Sequence, residues 1–170
     1  TFTLSQIYSQ YLFDVNISSS SNLLCVIDEL NSCLLIINSD FKVYVFNYQN
    51  RNKCKLLHEI ELECVLDSDI LMKLMESVDT ANVNPFVYIT VTPDLEGVII
   101  ALRTGEIINI PTDNNNNNNN KPTITKLIHD NITITAFEPS PNQEYIVVVL
   151  SNYTLMLISY DAPFNVINSC

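Results

Sequence analysis

Tryptophan is absent, glycine and histidine occur twice each, and only 8 lysines and arginines stand against 19 acidic residues in 170. Each shortage excludes something. With no Trp-Asp or Gly-His pair, the chain carries no regular WD signature. Gly97 and Gly105 alone cannot build a glycine-rich phosphate loop. His58 and His129 each stand apart from any Cys, His or Asp at metal-ligand spacing, and there is no Gly-x-Ser-x-Gly elbow. The sequence therefore predicts no catalytic, cofactor-binding or metal-binding residue, and no enzyme.

The net charge of −11 repels phosphate backbones and anionic membranes, so direct nucleic-acid binding and membrane association are not expected. No apolar run approaches the roughly 20 residues of a membrane helix, and no basic, apolar leader is visible. Five cysteines (Cys25, Cys33, Cys54, Cys64 and Cys170) form no C-x-x-C pair, and most lie in apolar runs where a free thiol packs as a small hydrophobe. That usage points to a reducing, cytoplasmic setting, with the nucleus as a second compartment. The three glycosylation sequons, at Asn16, Asn131 and Asn152, are what chance supplies in a chain so rich in Asn, Ser and Thr.

What is present is a repeat. Hydrophobic residues make up 47% of the chain, enough for a core. VIIALRTGEIINI (98–110) overlays IVVVLSNYTLMLI (146–158) without a gap at an offset of 48, which also sets Pro93 on Pro141. LLIINSDFKVYVF (34–46) matches 98–110 at an offset of 64. Each copy reads as a hairpin of buried strands, with Ser151-Asn152 as the polar break in the last. Expanded outward, each gives four short strands. The first copy has LLCVI, CLLIIN, KVYVFN and CKLLHEIEL; the second has FVYITV, VIIAL, EIINI and TITKLI; the third has ITITAF, YIVVVL, TLMLIS and FNVIN. Four strands every 40–50 residues or so is the pattern of a β-propeller blade.

The predicted fold class is thus all-β, with divergent, WD-repeat-like propeller blades at about 22–64, 86–128 and 132–168. Three blades are fewer than the ~4–8 of a closed ring, the chain starts at Thr1 without an initiator methionine, and the repeats continue to its last residues, so a fragment of a larger propeller is expected. In HEIELEC, Ile60, Leu62 and Cys64 alternate with Glu59, Glu61 and Glu63, as an outermost strand would. DSDILMKLMESVD (67–79) spaces Ile70, Leu71, Leu74, Met75 and Val78 for a helix packed on the propeller side. Asn114 to Asn120 is a solvent loop.

The third copy is more specific. Its Ser140-Pro141-Asn142 turn, Gln143-Glu144, apolar strand Tyr145 to Leu150, Thr154-Leu155-Met156, Asp161 and Phe164 follow one another in an order that resembles the amino-terminal propeller of the Elongator complex subunit 1 (IKAP) family. Gly105-Glu106 opens a third strand as that family's Gly-acidic pair does. The resemblance implies a non-catalytic scaffold that supports wobble-uridine modification of transfer RNA through protein contacts. Its implied partners are the catalytic radical-SAM subunit and the second propeller subunit, with homodimerisation through regions absent from this chain. A propeller scaffold of a trafficking coat or nuclear pore is the alternative. A propeller enzyme would need His, Asp or Glu on the innermost strands, where LLCVI and FVYITV offer none.

Overall fold

The computed structural model describes residues 21–49, 54–79, 83–112, 121–128, 132–161 and 164–170. Within them lie three four-stranded antiparallel sheets whose strands run in sequence order. Sheet 1 holds β1 (Asn22–Asp28), β2 (Cys33–Asn38), β3 (Lys42–Asn47) and β4 (Lys55–Glu61). Sheet 2 holds β5 (Phe86–Val91), β6 (Gly97–Leu102), β7 (Glu106–Pro111) and β8 (Thr123–Lys126). Sheet 3 holds β9 (Ile134–Pro139), β10 (Tyr145–Leu150), β11 (Leu155–Ser159) and β12 (Val166–Ser169). Two helices, α1 (Leu62–Val65) and α2 (Ser68–Asp79), join the first two sheets. The poly-Asn run 114–120, His129 and the sequons at Asn16 and Asn131 fall outside the described residues.

The offsets read from the apolar pattern hold for single hydrogen bonds. Ser39 N–H to the Ser21 carbonyl (2.8 Å), Arg103 to Pro85 (2.7 Å) and Ser151 to Thr133 (2.9 Å) are one bond repeated at 64 and then 48 residues. Tyr48 to Ser32, Thr112 to Glu96 and Tyr160 to Glu144 are another. A β-bulge recurs between Asn22 and Leu24, Phe86 and Tyr88, and Ile134 and Ala136, each time on the first strand of its sheet. Bulges raise local twist, and this one does so at the same site in each of the three sheets.

The central hairpins also share a turn. Phe41, Gly105 and Tyr153 donate to Asn38, Leu102 and Leu150 at 3.0–3.1 Å and all have positive φ, at 55°, 96° and 67°. This is a type I turn closed by a left-handed residue, which follows the right-handed strand twist better than a bare two-residue type I turn. The Ser151-Asn152 break is accordingly longer than expected: β10 ends at Leu150 and β11 begins at Leu155. Gly105 is the one copy without a side chain, because a Cβ there would stand 2.8 Å from Ile128.

The alternation in HEIELEC stops early. Glu59 and Glu61 do face solvent, and Lys42 reaches both, at 4.0 and 2.6 Å. Leu62, however, donates to the Phe41 carbonyl and starts α1, which buries Leu62 fully and leaves Cys64 exposed. The Lys42–Glu61 pair has its repeat in Glu106–Lys126, with the charges exchanged.

Two apolar layers hold the sheets together. The first, between sheets 1 and 2, includes Leu35, Ile37, Val43, Ile89, Val98, Ile100 and Ile108; Leu74 of α2 joins it, with Ile70 and Val78 packed at its margin. The second, between sheets 2 and 3, includes Ile99, Ala101, Ile107, Phe137, Ile146, Val148 and Ile158. Each fully buried Val, Leu or Ile contributes roughly 1.5–3 kcal/mol, so these layers dominate cohesion between the sheets. Met72 stays exposed, and so does Met75, which the helical spacing sets on the packed face but which lies at its outer edge.

Candidate interaction site at the axial mouth

The first strands of the sheets lie side by side, β1 against β5 and β5 against β9, and therefore surround a common axis. At one end of this axis meet Asp28 of β1, Thr90 of β5 and Tyr160, which directly follows β11. The Asp28 carboxylate accepts from the Asn31 amide N–H (3.1 Å) and side chain (2.9 Å), and from the Thr90 hydroxyl at 2.9 Å. The Tyr160 hydroxyl donates to the Val91 carbonyl at 3.1 Å and lies 3.4 Å from that of Thr90. All three side chains are buried, with 6, 1 and 3% of their surface exposed.

Part of this arrangement is local turn chemistry. Asp28, Thr92 and Ser140 occupy one repeat position, just where the first strand turns, and each side chain caps its turn. Thr92 bonds Asp94, whose carboxylate accepts from the Glu96 N–H; Ser140 accepts from Glu144 and Tyr145, both at 3.2 Å. Asp28 differs in also bonding Thr90 of the next sheet. A second polar tie runs between sheets 1 and 2, where a His58 ring nitrogen lies 3.1 Å from the Leu95 carbonyl and 3.3 Å from Thr112. His58 is thereby an intersheet link.

Around the network of Asp28, Thr90 and Tyr160 opens a cavity of about 310 Å³, lined by Asp28, Glu29, Tyr88, Thr90, Glu138 and Tyr160, with Ile27 and Leu30 exposed beside them. Among its described lining residues three are carboxylates and none is basic. Burial, then Glu138, Asp28 and Tyr160, push the Tyr88 phenol up to about 12; burial also raises Tyr160, against the Thr90 hydrogen bond. Both tyrosines are therefore neutral rings at physiological pH. Aromatic faces beside carboxylates suit a positively charged side chain, through cation–π attraction and charge-assisted hydrogen bonds. Among the described residues no group of three His, Cys, Asp or Glu could hold a metal ion.

The sequence reading stopped the first strand at Ile27 and so found no acid on the innermost strands. β1 runs one residue further to Asp28, and β9 carries Glu138. The legible signal was the polar residue at the strand's end in every copy: Asp28, Thr92 and Ser140.

No family model and no curated protein matches the chain. Solved structures do. Hsv2 of Kluyveromyces marxianus is 10% identical at a TM-score of 0.56, over 89% of this chain and 40% of that one. Hsv2 of Kluyveromyces lactis is 12% identical at 0.53, over 88% and 36%. A form of the latter with loop 6CD replaced by a Gly-Ser linker is 12% identical at 0.55, over 89% and 40%. These are β-propeller proteins, so the three sheets are propeller blades; at such identities the likeness shows the fold alone. The chain spans well under half the length of each.

Proposed function

We propose that these blades belong to a larger, divergent WD-repeat-like ring, and that the chain is a non-catalytic scaffold portion of an Elongator subunit 1-type protein. In this reading it supports wobble-uridine modification of transfer RNA by holding the catalytic radical-SAM subunit and the second propeller subunit. The observation that carries the scaffold role is the axial mouth. Three blades tied by buried hydrogen bonds present a preorganised surface, and such a surface loses little entropy when a partner docks. Its carboxylates favour a basic partner segment. The Elongator reading itself draws on the order of residues from Ser140 to Phe164, in which Ser140-Pro141-Asn142 forms a capped turn and Phe164 is buried.

The test is affinity purification of the native protein from its own cells, with mass spectrometry of what accompanies it, beside a Glu29→Lys, Glu138→Lys variant. Recovery of the radical-SAM subunit, reduced severalfold by the variant, is the expected result. Coat or pore proteins in its place would assign the propeller to the alternative assembly. An unchanged yield from the variant would move the contact away from the mouth.

A further inference from the structure

The axial mouth has a floor and a rim that differ in what they leave unpaired. At the floor, Asp28 Oδ2, Thr90 Oγ1 and Tyr160 Oη form a row of oxygens spaced 2.9 and 3.4 Å apart. Their protons are committed: the Thr90 hydroxyl donates to Asp28 and the Tyr160 hydroxyl to the Val91 carbonyl. The row therefore offers the cavity lone pairs alone. A group with hydrogens to give and no acceptor of its own matches it.

The same floor carries charge without a counter-charge. Asp28 is buried, and its partners, the Asn31 amide N–H, the Asn31 side chain and Thr90, are all neutral. None of the ion pairs among the described residues includes it. Burial raises the Cys33 thiol and the Tyr88 and Tyr160 phenols, and the charge of Asp28 adds to the rise in each. A buried charge is ordinarily paired, and Asp28 borders the cavity.

The rim is of another kind. Glu29 and Glu138 stand exposed on it, as do Ile27 and Leu30, at 64 and 55%, with Pro139 and Pro141 on the side of blade 3. Apolar side chains there suit the neighbour of an inserted residue rather than the inserted charge. A cavity of about 310 Å³ holds one long side chain, not a helix, which is roughly 10–12 Å across. Arginine fits the floor better than lysine. Its guanidinium spreads five N–H donors over a plane, so it reaches several oxygens of a row at once and can lie on an aromatic ring such as Tyr88. An ammonium gathers its donors at one point and holds its water more tightly.

We propose that the mouth takes one arginine side chain, flanked by an apolar residue, from an extended segment of a protein partner. The guanidinium bonds the row of Asp28, Thr90 and Tyr160, the apolar neighbour rests on Ile27 and Leu30, and Glu29 and Glu138 draw the segment in. The inference rests on the reading of the mouth as a docking surface and adds to it the residue recognised and the separate work of floor and rim.

The test titrates the chain with three peptides in a calorimeter: acetyl-Gly-Ala-Arg-Leu-Ala-Gly-amide and its lysine and citrulline counterparts. Citrulline keeps the shape of arginine without the charge. The arginine peptide should bind about tenfold tighter than the citrulline peptide, and severalfold tighter than the lysine peptide. Asp28→Asn should erase the arginine preference. Glu138→Gln changes only an exposed side chain and should weaken the arginine peptide about threefold while leaving the citrulline peptide unchanged. Equal binding of arginine and citrulline, or no binding of any peptide, overturns the proposal; lysine binding as tightly as arginine overturns the guanidinium floor. Should Asp28→Asn fail to fold, Glu138→Gln decides, and an arginine preference unchanged in it counts against the mouth. The titration needs no other subunit, so it and the native purification can fail separately.

Discussion

Blades 2 and 3 share their bulge, their turn and their hydrogen bonds at a constant offset of 48, yet blade 2 is buried on both faces and blade 3 on one. Their strands β6 and β10 show the difference directly. All six residues of β6 are buried, whereas in β10 buried and half-buried residues alternate. The sequences VIIAL and IVVVL are equally apolar, so burial here is decided by what stacks on the blade rather than by the strand itself. A repeat protein distributes stability in the same way: a term for each unit and a larger one for each contact between neighbours.

The comparison is most sharply tested by paired truncations. Ile107→Ala removes a fully buried side chain between blades and should lower stability by about 2–5 kcal/mol. Leu155→Ala, the same change one repeat on, should cost below about 1 kcal/mol, because that side chain is already 42% exposed. Urea unfolding of both variants checks this, and equal losses would mean that blade 3 is covered after all.

A smaller contrast lies in the hairpin turns. Gly105→Ala places a side chain at φ 96° and against Ile128, for a loss of about 1–3 kcal/mol. Tyr153→Gly relieves a residue that is 93% exposed at φ 67°, for a gain of up to about 1 kcal/mol. Opposite signs in thermal unfolding would confirm that the three turns are one device under different constraints.

A further effect appears only in alkali. Tyr88 keeps its proton to about 12 in the folded chain, whereas an unfolded phenol loses it near pH 10. Above pH ~10 the unfolded state therefore binds fewer protons than the native one, and stability falls as pH rises towards 12. Of the 8 tyrosines, Tyr88, Tyr160 and Tyr44 should ionise late in an absorbance titration. Tyr88→Phe should delete one late equivalent and flatten the decline.

Much of the fold was legible because apolar residues recur where strands are covered, and a two-residue period with a fixed offset survives loss of identity. The helix at 67–79 was legible for the same reason, as Ile70, Leu74 and Val78 lie on one face of α2. What was not legible depends on partners distant in sequence. Nothing near Leu62 says that it leaves the strand to fill the core below Phe41. Nothing near Asp28 announces Thr90, 62 residues on. The candidate site is such a case throughout, since each of its groups looks like an ordinary turn or strand residue until three blades meet.

Directional stacking has a consequence for assembly. A unit whose two sides fit each other, but not themselves, carries no information about how many units to join. The number is set by the wedge angle between neighbours, and in this chain the axial ties Thr90–Asp28 and Tyr160–Val91 fasten the narrow side of that wedge. Loosening them while leaving the apolar layers intact would flatten the wedge, and the same surfaces that build a closed ring would then build an open-ended fibre.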